Sequence, residues 1–252
     1  MPTRDDVLQE LGLTPVWRLR AARGAPPHAG IADALPGTAV QSGPVPPPVP
    51  RGPTDDGEAP EARVQRIAAL EWRDFAPAVD ACTACGLART RHRSVPGVGD
   101  VHAEWLFVGE APGADEDARG EPFVGQAGKL LDAMLASIGL QRGDNVYITN
   151  VLKSRPPGNR NPEPDEVAAC RPYLLAQIEL IQPKLILALG RFAAQSLLGT
   201  DEAIGRLRGQ VHRFRDVPLV VTYHPAYLLR NLPDKARAWE DLCLARRTMQ
   251  TL

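Results

Sequence analysis

Four short apolar runs stand out from residue 104 onward: "EWLFVGE" (104–110), "NVYITNV" (145–151), "LILALG" (185–190) and "PLVVTYH" (218–224). Continuous apolar runs of that length predict strands buried on both faces. Helical patterns lie between and after them: "GKLLDAMLASIG", "DEVAACRPYLLAQIELI", "RFAAQSLLG" and "DKARAWEDLCLARRTMQ". Strand–helix–strand alternation predicts a parallel sheet covered on both sides. Such sheets bind ligands at the carboxyl ends of their strands. Three polar loops follow strands: "GEAPGADED" the first, "SRPPGNR" the second and "HPAYLLRN" the fourth. They are expected to share one rim.

The chain upstream is different. Residues 5–20, "DDVLQELGLTPVWRLR", form a short amphipathic stretch within a segment 1–20. Residues 21–60 are rich in Pro, Gly and Ala with almost no aromatics. That composition cannot bury a core and predicts a disordered or extended linker. Residues 61–252 are the expected globular domain.

Charge and cysteine content narrow the classes. With 29 Lys and Arg against 30 Asp and Glu, the chain carries a formal charge of −1. It is not a globally basic nucleic-acid coater, so any such binding must come from local patches. No run approaches about 18 apolar residues, so no membrane span is expected. The charged N-terminus lacks a signal-peptide apolar region, and a cytoplasmic protein is expected. Four cysteines are too few for a disulfide scaffold.

Several loop residues carry candidate chemistry. Gly109 and Gly113 flank Glu110 at a strand end, where glycine lets a backbone approach a ligand. An ordinary strand-to-loop turn reads the same way. Phe123 precedes a helix and either plugs the core or offers a face for a base to stack on. His224 ends a buried strand, Pro225 fixes the next turn, and Arg230 is within reach of a phosphate. Cys82 and Cys85 form a CxxC, which suggests metal or redox chemistry but is weak without a second pair. Cys243, between Leu242 and Leu244, reads as core.

Taken together, "CTACGLA", "GEAPGADED", "GEPFVGQAGKLLD", "YITNVLKSRPPGNRNPEPDEVAAC", "LILALGRFAAQSLLG" and "TYHPAYLLRN" resemble the family 4 uracil-DNA glycosylases in order and spacing. The resemblance covers about residues 75–247. It implies a three-layer α/β/α domain with a four-stranded parallel sheet, acting on DNA containing uracil and using no nucleotide cofactor. A uracil in duplex DNA must be flipped out before its glycosidic bond can be reached. By resemblance, Phe123 stacks on the flipped base and Asn150 hydrogen-bonds its edge. His224 stabilises the anion at uracil O2. Glu110 positions water or offsets positive charge on the sugar, with Glu116, Asp117 and Asn159 as helpers. Gly109, Pro225 and Arg230 fall in the substrate-binding motifs, and "PAYLLRN" wedges the minor groove. Ala111 stands where other branches carry a water-activating aspartate.

The resemblance also implies a [4Fe–4S] cluster held by four thiolates. Cys82, Cys85 and Cys170 match three of those ligands, but the remaining one falls on Ser154. Serine is a harder and much less acidic ligand. The cluster then persists with serine or an outside ligand, is labile, or is lost.

The segment "LGLTPVWRLR" is similar to the N-terminal peptide of the psi subunit of the bacterial DNA polymerase III clamp loader. That similarity implies clamp-loader docking through residues 5–20, with Trp17, Leu11 and Leu13 as anchors. Two functions follow: a uracil-DNA glycosylase tethered at the replication fork, or a psi-like subunit that uses the glycosylase fold as a scaffold.

Overall fold

A computed structural model describes residues 58–252. The amphipathic peptide and nearly all of the expected linker lie outside the described residues. In chain order the elements are α1 (Pro60–Ala68), α2 (Trp72–Ala81), β1 (Val98–Gly99), β2 (Trp105–Gly109), α3 (Ala114–Arg119), α4 (Gln126–Ser137), β3 (Val146–Asn150) and α5 (Pro164–Ile181). They continue with β4 (Leu185–Leu189), α6 (Arg191–Leu198), α7 (Ile204–Leu207), β5 (Val211–Phe214), β6 (Val217–Thr222), α8 (Pro225–Arg230) and α9 (Asp234–Met249).

All four predicted strands form, and they pair in parallel in the order β3-β2-β4-β6. The sheet is nevertheless six-stranded and mixed, because β1 and β5 add antiparallel edges. This corrects the expected four-stranded parallel sheet. Edge strands need bury only part of their surface, so they carry no continuous apolar run. "VHRF" in β5 alternates exposed and half-buried positions before Phe214. β1 is only two residues long.

Period-two alternation sorts the central side chains between two cores. Leu106, Val108, Ile186, Ala188, Leu219 and Val221 face α5 and α6. Trp105, Phe107, Ile148, Leu187, Leu189 and Val220 face α4 and α9. A third cluster joins α1 and α2 to the outer side of α5 through Ile67, Phe75, Val79, Tyr173 and Ala176. α5 is therefore packed on both sides, which explains its lack of one clean apolar stripe.

Candidate active site

The carboxyl ends of the four parallel strands open into one cavity of about 560 Å³. Glu110 follows β2, Asn150 ends β3, Gly190 follows β4 and His224 follows β6; all four line it. Phe123, Glu116, Asn159 and Arg230 also line it. The three polar loops expected on one rim therefore meet there. The junction of β4 and α6 meets them too, through Gly190, Arg191 and Phe192, which sequence reasoning passed over. Its signal was a glycine directly before a helix-starting arginine. Tyr227, Arg160 and Asn161 are further wall residues that were missed.

The floor is tightly specified. Asn150 is 1% exposed, and its Oδ1 is buried without a hydrogen-bond partner. A buried acceptor left unpaired costs free energy, so it is a site where a ligand donor gains. A β-carbon on Gly109 would lie 2.3 Å from that oxygen and 2.6 Å from the Phe123 ring. Only glycine fits there. Beneath Asn150, the buried Lys153 donates to Asn150 O (2.8 Å), Thr149 Oγ1 (2.6 Å) and Gln177 Oε1. Burial among neutral acceptors pulls the Lys153 amine down to about 7.

The Phe123 ring stands 5.5 Å from the His224 imidazole, tilted by 30°. His224 caps α8: its Nδ1 accepts from the Ala226 amide at 3.1 Å. That bond leaves the proton on Nε2 in the neutral ring. Burial, reinforced by the Arg230 charge, lowers the His224 pKa to about 4. A β-carbon on Gly190, whose φ is +94°, would come within 2.8 Å of His224 Cβ. Across the cavity, burial pushes the Glu110 carboxyl up to about 7, while Arg191 pulls the other way. The cavity thus pairs a neutral histidine donor with a carboxyl that titrates near neutrality, the kind of perturbation found at functional sites.

The helpers divide. Asn159 sits at the mouth with φ +55°, its Oδ1 accepting from Arg155 Nε at 2.7 Å. Glu116 spends its carboxylate on backbone amides of Gly113, Val124 and Gly125. Asp117 is buried outside the lining and accepts from the His92 amide and ring. Pro225 is buried at the first turn of α8, behind the wall.

The cysteines lie apart from the cavity lining. Cys82 Sγ accepts from Arg63 Nη2 and Cys170 Sγ from the Lys153 amide, each at 3.5 Å. Burial raises the Cys85 thiol and lifts that of Cys170 to about 11. Ser154 is 3% exposed, and Arg91 Nη1 donates to its Oγ at 2.8 Å. The same guanidinium bonds the carbonyls of Asp80 and Cys82. These residues do not fit a four-thiolate cluster. One donor is a hydroxyl already bonded to an arginine, although Cys82, Cys85 and Cys170 stand near enough to raise one another's thiol pKa.

Residues 96–243 match the family model described as the uracil DNA glycosylase superfamily. The chain belongs to that superfamily. It is similar to the type-4 uracil-DNA glycosylase of Archaeoglobus fulgidus, 51% identical over 164 residues that cover 62% of this chain and 82% of the relative. The Thermotoga maritima type-4 enzyme is 46% identical over 161 residues, covering 63% and 83%. A type-5 member of the superfamily from Thermus thermophilus is 37% identical over 137 residues, covering 49% and 60%. The superfamily match spans every strand-end loop of the cavity but stops short of α1 and α2. Among the described residues, no helix is long and apolar enough to cross a membrane.

Proposed function

We propose that this protein is a uracil-DNA glycosylase that flips uracil out of DNA and hydrolyses its N-glycosidic bond, as the first step of base excision repair. The observation that carries this reading is the unpartnered Asn150 Oδ1 on a closed floor beside Phe123 and His224. Uracil presents an N3–H donor, which that oxygen would accept; cytosine presents an acceptor there and would leave the oxygen unpaired. Such a mismatch is how a polar pocket rejects a near-isostere.

In the reaction the C1′–N1 bond breaks and its electron pair leaves with uracil. His224, neutral and protonated on Nε2, would donate to O2 as negative charge builds there, a preorganised stabilisation. Ionised Glu110 would offset the positive charge on the sugar or orient the water whose oxygen bonds C1′, and the proton that water loses balances the negative charge of the departing uracil. Arg191 and Arg230 at the rim supply local positive charge for DNA phosphates, consistent with a chain of near-zero net charge. No step passes through a metal. The test is incubation with uracil-containing single- and double-stranded oligonucleotides without divalent metal, followed by alkali cleavage of abasic sites. Strand breaks at uracil are expected. Uracil left intact at micromolar protein would overturn the reading.

We further propose, from sequence similarity alone, that residues 5–20 dock on the clamp loader and raise the local concentration of the enzyme at the fork. A peptide of residues 1–25 is expected to bind the clamp-loader complex, with Trp17→Ala weakening it by about 2 kcal/mol. A peptide with no affinity would end this part of the proposal.

A further inference from the structure

Phe123 holds a left-handed backbone, φ +55°, which a bulky residue adopts only where the surroundings over-determine it. Two charged side chains from different elements do so. Arg142, in the turn after α4, donates through Nη1 to Pro122 O at 3.0 Å and through Nη2 to Phe123 O at 2.9 Å. Those two carbonyls belong to the peptide planes on either side of the Phe123 Cα. Glu116 of α3 meets the second plane from its opposite edge: Oε1 accepts from the Val124 amide at 2.9 Å and from Gly125 at 3.2 Å. With both planes anchored, φ and ψ of Phe123 have no freedom left. Asp132 in turn orients Arg142, accepting from its Nε at 3.0 Å. Gly128 lets α4 press against the same turn, since a β-carbon there would meet Phe123 O at 1.7 Å.

We infer that Glu116 and Arg142 are positioning residues that set the Phe123 ring as the stacking wall for the flipped base. The inference deepens the proposed glycosylase reading and rests on it. Neither side chain needs to touch the base. Glu116 also ties Gly113 to the same point, its Oε2 accepting from the Gly113 amide at 3.0 Å. The loop that carries Glu110 and the loop that carries Phe123 thus share one anchor. Arg142 lies outside the cavity lining, so its effect can be separated from DNA contact.

The fork geometry of the guanidinium makes a sharp test. Arg142→Ala is expected to lower the single-turnover excision rate about tenfold or more, within the roughly 100-fold that an ångström of misplacement can cost. KM for uracil-containing oligonucleotide should stay within about threefold. Arg142→Lys keeps the charge but cannot bridge two carbonyls, so it should rescue poorly. Glu116→Gln keeps one acceptor oxygen and should lose less than Glu116→Ala. Amide hydrogen exchange at Val124 and Gly125 should quicken in Arg142→Ala while exchange in the β2 core stays slow. Unchanged excision in Arg142→Ala, full rescue by lysine, or unchanged exchange at Val124 would overturn the inference. If Arg142→Ala does not fold, Glu116→Gln carries the same exchange measurement. Should the wild type leave uracil in place, the glycosylase reading fails, but the exchange result still decides whether the clamp exists.

Discussion

The end of β3 and the loop after it serve two neighbourhoods, with Asn150 at one and Ser154 four residues on at the other. They differ in how their polar atoms are satisfied. At the cavity, Asn150 Oδ1 has no partner, and the Glu110 carboxylate has no hydrogen bond among the described residues. At the cysteine corner Ser154, Cys82 and Cys170 each accept a hydrogen bond from within the protein. A buried polar atom without a partner is costly unless a ligand supplies one. A thiol that accepts such a bond can still hold a metal, so what sets the corner apart is the Ser154 hydroxyl bonded to Arg91. The contrast is between an acceptor in the cavity that is open to a ligand's donor and a corner whose hydrogen bonds join α2, the CxxC turn and the β3 loop.

That contrast can be broken by experiment, most sharply at the cavity. His224→Ala is expected to slow excision at least about 100-fold, the scale of losing one preorganised donor. Gel-shift affinity for the same oligonucleotide should hold. A fall under tenfold would mean that the anion is stabilised elsewhere.

The pH dependence comes next. Glu110 titrates at about 7 and His224 at about 4. If ionised Glu110 is required, log(kcat/KM) rises with unit slope as pH increases toward about 7 and levels off above it, about tenfold per pH unit on the acid side. Protonation of His224 adds nothing until pH nears 4. Glu110→Gln should lower the plateau and remove the acid limb. A limb that survives in the glutamine variant would assign it to another group.

Gly109→Ala sharpens the packing side of the comparison. Its β-carbon would crowd Asn150 Oδ1 and the Phe123 ring, and overpacking of that kind costs about 1–3 kcal/mol. Urea melts should register the loss, together with reduced excision by the folded protein.

The smallest effects belong to the corner. Ser154→Ala removes one hydrogen bond from Arg91 and should cost about 1 kcal/mol of stability with excision unchanged. Ser154→Cys restores a fourth thiol and should raise the iron content of anaerobically purified protein. Wild-type protein should carry less than a full cluster, by iron and sulfide analysis. A stoichiometric, air-stable cluster in the wild type would show that the corner holds metal despite the Arg91 bond.

Much of this was legible in one dimension. A strand buried on both faces must be apolar at every position, so the four central strands could be read directly. Glycines with a polar residue between them, and a histidine at a strand end, pointed to the rim because parallel sheets converge their carboxyl ends. Edge strands left no such trace, since β5 leaves Val211 and Arg213 exposed and His212 only half-buried. α1 and α2 were hidden because each buries only a few residues against α5.

Residue identity alone determined which chemistry the chain carries: a carboxyl at Glu110, an amide at Asn150, an imidazole at His224, and a hydroxyl where a thiolate was expected. Tertiary structure decided what each group is free to do. Glu116 and Asp117 are adjacent carboxylates of the same motif, yet one ties two loops of the cavity and the other is buried against His92. Burial moves the Glu110 pKa up to about 7 and the His224 pKa down to about 4, past each other, and it depends on atoms from β2, β3 and β6 that are far apart in sequence. Arg142 lies 19 residues from Phe123 and has no motif of its own. Its importance comes from the direction of two carbonyls, and backbone direction is set only when α4 packs against the sheet.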